Sequence, residues 1–105
     1  MKKFNIDETK VTFGEDFGTI ISKDSKKGAQ LIENAKRVDG YELYNVYNKA
    51  SYRKKSAWKY CKELCRKYNG TNLHIVGHNT CTFSVSFNIG DKVAYITNAN
   101  NYLIV

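Results

Sequence analysis

The chain has 105 residues, of which 42 % are hydrophobic and 13 % aromatic, and a formal net charge of +7. That length accommodates one domain (1–105), because two separate cores would each be too small to hold without staples, and the apolar content excludes whole-chain disorder. No run approaches the roughly 18 apolar residues of a membrane span, and Met1 to Asp7 turns polar after two lysines, without the apolar stretch of a secretory signal.

A cytoplasmic protein is therefore expected, with no membrane partner. Three cysteines, an odd number in a reducing compartment, argue against a disulfide framework and leave metal binding, reactivity or burial. In that compartment the sequon-like Asn69-Gly70-Thr71 carries no meaning. The charge is local. Residues 49–67 hold eight bases (Lys49, Arg53, Lys54, Lys55, Lys59, Lys62, Arg66, Lys67) against Glu63, leaving nine bases and nine acids elsewhere. The excess of Lys over Arg, with abundant Asn, Tyr and Ile, is also what an AT-rich genome writes.

In chain order, residues 10–23 read as a β-hairpin, with Gly14 and Gly18 bracketing a reversal between Val11-Thr12-Phe13 and Thr19-Ile20-Ile21-Ser22. From Ser25 to Val38 the pattern is helical: Leu31, Ile32, Ala35 and Val38 share a face, Asp24 or Ser25 caps, and Asp39-Gly40 stops. Tyr41 to Tyr47 fits a strand or one or two helical turns. Ser51 to Tyr68 is the best-defined helix, ended by Asn69-Gly70. Ala57, Trp58, Cys61, Leu64, Cys65 and Tyr68 form one stripe, and Lys55, Lys59, Lys62 and Arg66 another.

After Gly70 the period changes to two. Leu73 and Ile75 alternate with His74 and Val76; Phe83, Val85, Phe87 and Ile89 alternate with polar residues. Gly90-Asp91 turns the chain into Val93 to Thr97, and a further turn leads to Tyr102-Leu103-Ile104-Val105. The expected fold class is α+β: an antiparallel sheet built from the N-terminal hairpin and a C-terminal meander, with two main helices packed on one face.

One constellation carries metal-type spacing. Cys61 and Cys65 sit four apart on a helix, and His78 and Cys81 follow across a short turn, together a three-thiolate, one-imidazole set of the tetrahedral Zn class. With four protein ligands such a zinc is structural. The plain alternative is that both helix cysteines are packing residues on the Trp58 stripe. If the strand runs straight back along the helix, its seven residues from Thr71 cover about 23 Å while Cys61 lies about 13 Å from the helix end, and His74 would lie nearer the cysteines than His78 unless the strand starts late or crosses at an angle. Cys81, His78 and Asp91 form a catalytic triad in name only, with no surrounding signature, so the chain reads as a non-enzyme.

The basic face, Lys55, Lys59, Lys62 and Arg66 preceded by Arg53 and Lys54, has three readings: a solvated helix surface, a nucleic-acid contact with Tyr52 and Tyr60 as stacking groups, or a docking face for an acidic protein surface. Residues 51–65, SYRKKSAWKYCKELC, followed by 73–87, LHIVGHNTCTFSVSF, resemble small proteins of phages of low-GC Gram-positive bacteria, and within that group the type II-A anti-CRISPR proteins. The likeness covers residues 51–105. It implies a non-catalytic inhibitor that binds the RNA-guided nuclease of a type II CRISPR system and blocks target DNA engagement or cleavage. A +7 chain departs from the acidic DNA mimics of that group, so an acidic patch of the nuclease, or its guide or target strand, is the expected contact. A basic nucleic-acid-binding domain of phage origin is the alternative.

Overall fold

The computed structural model describes residues 13–38, 52–76, 84–97 and 99–105, with the backbone alone for 52–56. Two helices and a five-stranded mixed sheet make an α+β fold. In chain order they are β1 (Thr19–Ile21), α1 (Lys26–Ala35), α2 (Tyr52–Lys67), β2 (Thr71–Ile75), β3 (Val85–Ile89), β4 (Lys92–Ile96) and β5 (Asn101–Ile104). The sheet order is β1-β5-β4-β3-β2. From β2 to β5 the strands form the expected antiparallel meander, while β1 joins β5 in parallel, Ile20 opposite Leu103.

The N-terminal hairpin is replaced by a different arrangement. Val11 and Thr12 lie outside the described residues, but Phe13 opens a helical turn in which its carbonyl accepts from the N–H groups of Asp16 (3.1 Å) and Phe17 (3.0 Å). Phe13 and Phe17 are thereby set edge to face, 6.0 Å between ring centres, and both meet the Tyr68 ring at the end of α2. Packing three aromatic rings together, with Phe17 buried and Phe13 and Tyr68 partly so, outweighs a short two-stranded ribbon, which is marginal in water. Strand β1 then pairs with the far end of the chain.

The helices also differ from expectation, since they cover opposite faces of the sheet. Leu73, Ile75, Val85, Phe87, Ala94, Ile96 and Leu103 share a core with Trp58, Cys61, Leu64 and Cys65 of α2. The alternate residues Val76, Val93, Tyr95, Tyr102 and Ile104 pack with Leu31, Ile32 and Ala35 of α1. Alternation along a strand allows this only if each helix takes one face. The physical reason is that β4 and β5 are apolar on both sides, so a single helical layer would leave one side wet.

Local signals set the helix ends. The Ser25 hydroxyl accepts from the Gly28 N–H (3.0 Å) and caps α1. Helix α2 ends in a Schellman motif: Asn69, at φ 57°, donates its N–H to Arg66 O (3.1 Å), and Gly70 donates to Cys65 O (2.7 Å). Asn69 is therefore the left-handed residue. Gly70 is needed for space, because a Cβ there would stand 2.7 Å from the Phe87 ring and 2.8 Å from Cys65 Sγ.

Candidate functional site

Helix α2 places the candidate residues. Trp58, Cys61, Leu64 and Cys65 are buried at steps of three and four, and the opposite side carries exposed Lys59, Glu63 and Arg66 with half-buried Lys62 between them. The inward stripe fixes the helix on the sheet, so the outward row is presented by a rigid support. Arg53, Lys54 and Lys55 lie in the first turn, where the backbone is helical. Lys55 is in register with Lys59, Lys62 and Arg66. Lys54, which precedes the row, stands four and seven residues ahead of Trp58 and Cys61 in the sequence.

Lys67 follows the row but is engaged elsewhere. Its Nζ donates to Asp16 Oδ2 at 2.7 Å and lies 3.9 Å from Glu15 Oε1. The Tyr68 hydroxyl donates to the same Asp16 oxygen. Bonding to Lys67, and next to Tyr68, holds the Asp16 carboxyl below its usual range, while burial, and next its bond to Asp16, pushes the Tyr68 phenol upward. Asn101 Nδ2 donates to Asp16 O (2.8 Å) and to the exposed Tyr60 hydroxyl (2.9 Å), which ties β5 to the same corner. These ties join residues 41 to 85 apart in sequence, and no local pattern announces them.

The candidate zinc ligands are divided. Cys61 and Cys65 are free thiols in the apolar core with Trp58, Leu64, Ile75 and Phe87. Burial, reinforced by neighbouring Cys65, pushes the Cys61 thiol up to about 12, and burial raises Cys65 as well. In such surroundings a thiolate would need a cation to offset its burial. His78 and Cys81 lie outside the described residues. His74 does not replace His78, because its strand position turns it to the α1 face, where its ring contacts Ala35 O and Asn72 O. Among the described residues no three His, Cys, Asp or Glu side chains converge on one point suited to a metal ion.

The chemistry available to this surface is electrostatic. Asp91, the third member of the nominal triad, is exposed on the β3–β4 turn, 3.5 Å from Lys92 Nζ. Among the described residues no helix is long and apolar enough to cross a membrane. No family model, curated protein or solved structure matches the chain.

Proposed function

We propose that this chain is a non-catalytic binding protein that docks the α2 row Lys59, Lys62 and Arg66 on an anionic macromolecular surface. The observation behind the reading is the two-sidedness of α2, with the Trp58–Cys65 stripe buried and Lys59 and Arg66 exposed on a helix held from beneath. The resemblance of residues 51–105 directs the reading to the RNA-guided nuclease of type II-A CRISPR systems, in the cytoplasm of a bacterial host. There the row would meet an acidic patch of the nuclease and hinder target DNA engagement or cleavage. Charge placed this way mainly raises the association rate and fixes orientation.

The test is retention of the protein on purified nuclease, with and without guide RNA, followed by a DNA cleavage assay. Lys59→Glu with Arg66→Glu is expected to weaken retention and inhibition about tenfold or more while changing stability by no more than about 0.5 kcal/mol. Wild-type protein that neither binds nor inhibits removes the nuclease from the proposal. The nucleic-acid reading is favoured by one observation, the exposed Tyr60 ring beside Lys59, since stacking accompanies charge in such sites. It requires a binding constant that falls steeply with salt, and each row cation removed should flatten the log–log slope by about 0.7–0.9.

A structural zinc on Cys61, Cys65, His78 and Cys81 belongs to the same proposal as a fastening of α2 to the sheet. Elemental analysis of untagged protein decides it: about one equivalent per chain supports the site, and none leaves Cys61 and Cys65 as core residues.

A further inference from the structure

Asn69 and Gly70 are the only Asn-Gly pair in the chain, and they stand at the end of α2 with Asn69 exposed to water. Asparagine before glycine is the pair most prone to react with itself, because glycine has no side chain to shield the peptide nitrogen beside the carboxamide. In that reaction the Gly70 nitrogen, having given its hydrogen to a base, attacks Asn69 Cγ. The N–Cγ bond forms and the carboxamide nitrogen leaves as ammonia. Water then adds to one of the two carbonyls of the resulting ring, and the C–N bond breaks there. Attack at Cγ leaves aspartate at position 69; attack at the main-chain carbonyl leaves isoaspartate.

The folded chain bars the first step in two ways. Ring closure needs the Asn69 C–N bond to swing alongside its Cα–Cβ bond. Asn69 is left-handed, at φ 57°, and in that region ψ is about +47°, which points the C–N bond nearly opposite to Cβ. The nucleophile is also committed: the Gly70 N–H donates to Cys65 O at 2.7 Å, and the Asn69 N–H donates to Arg66 O at 3.1 Å. Swinging the bond means giving up this cap. Phe87 and Cys65 stand close enough to Gly70 to leave it little room to turn in place.

We propose that Asn69–Gly70 is a latent self-modification site held shut by the α2 cap, which reacts from molecules whose α2 end has opened and then bars the return of the cap.

Both products work against reclosure. Isoaspartate carries the main chain through its side-chain carbonyl and is one methylene longer, so the paired bonds of the cap lose their register. Aspartate sets a carboxylate at the negative end of a helix, where cations are favoured. The adjoining residues share the consequence, because Lys67 and Tyr68 hold Asp16 from this last turn, and Tyr68 carries the Phe13 and Phe17 rings. Where opening and closing are fast beside the chemistry, the rate in the folded protein is the unfolded-chain rate multiplied by the open fraction. The lesion therefore records how often the end of α2 comes undone.

The full chain, incubated at one mildly alkaline pH with and without urea, tests the proposal. Position 69 is followed by peptide mass spectrometry, with isoaspartate read by enzymatic methylation. Modification should be about tenfold or more slower in the folded protein than in urea. Equal rates overturn the proposal, since the cap then gives no protection. After long incubation in urea and dilution, molecules modified at position 69 should be depleted from the refolded fraction and enriched in the fraction that stays unfolded. Modified molecules that refold as fully as unmodified ones overturn the claim that the lesion bars the cap. Asn69→Gly keeps the left-handed preference and removes the carboxamide, so its refolding yield should hold through the same incubation while that of wild type declines. The comparison of modified with unmodified wild type decides the question even where Asn69→Gly fails to fold.

Discussion

Trp58→Ala is expected to lower the free energy of unfolding by about 3–5 kcal/mol, the cost of deleting a buried aromatic side chain and leaving a cavity. Trp58 is 2 % exposed and belongs to the core that joins α2 to β2, β3, β4 and β5. A small domain has only about 5–15 kcal/mol of stability in total, so this one side chain decides whether the row above it has a support. Charge reversal at Lys59 and Arg66 should change stability by less than about 0.5 kcal/mol. The two variants therefore separate binding from folding. Trp58→Ala should bind normally where circular dichroism shows it folded and lose binding in step with unfolding; the charge variant should stay folded and bind about tenfold or more weakly. A denaturation midpoint unchanged by Trp58→Ala would mean that α2 does not rest on the sheet through this residue.

Helix α2 was legible because one stripe of apolar residues recurs at steps of three and four and Asn69-Gly70 closes it. The outcome follows that pattern closely, from the buried Trp58 stripe to the left-handed Asn69. The meander was legible for a similar reason, with period two and short turns. What misled was β3, whose Val85, Phe87 and Ile89 alternate with Ser86 and Asn88 and suggest a sheet with one apolar face. The runs Val93 to Ile96 and Tyr102 to Val105 carry the opposite message, since strands apolar on both sides need cover on both faces. The parallel pairing of β1 with β5 has no local signature, because it joins Thr19 to Tyr102. Gly14 and Gly18 looked like the brackets of a hairpin, yet the Phe13–Phe17 spacing is one helical turn, and it is this spacing that meets Tyr68. The row Lys59, Lys62 and Arg66 was readable from its spacing, but the bond from Lys67, just past the row, to Asp16 was not, because that partner comes from 51 residues away.

Gly28→Ala should reverse the usual sign of that substitution. In an ordinary helix interior the change gains about 1 kcal/mol, because alanine is the better helix former. Here the new Cβ would fall 2.0 Å from Ser22 O, 3.0 Å from Ser22 C and 3.0 Å from Ser25 Oγ. The obstructing carbonyl is not a flexible side-chain end. It accepts from the Ser25 N–H at 3.1 Å and from the Ser25 hydroxyl at 2.7 Å, and that hydroxyl in turn accepts from the Gly28 N–H at 3.0 Å. Moving Ser22 O aside therefore disturbs the cap of α1, worth about 1 kcal/mol, in addition to the 1–3 kcal/mol typical of an overpacked site. The expected loss is about 2–4 kcal/mol, read as a lower denaturant midpoint at unchanged slope. Gly90→Ala is the matched control: Gly90 sits at φ 62° with open space where a Cβ would go, so its cost should be only the left-handed penalty of roughly 1–2 kcal/mol. If Gly28→Ala proves neutral or stabilising while Gly90→Ala shows its penalty, the junction between β1 and α1 is looser than the Ser22–Ser25–Gly28 contacts permit, and the seat of α1 is set instead by the packing of Leu31, Ile32 and Ala35.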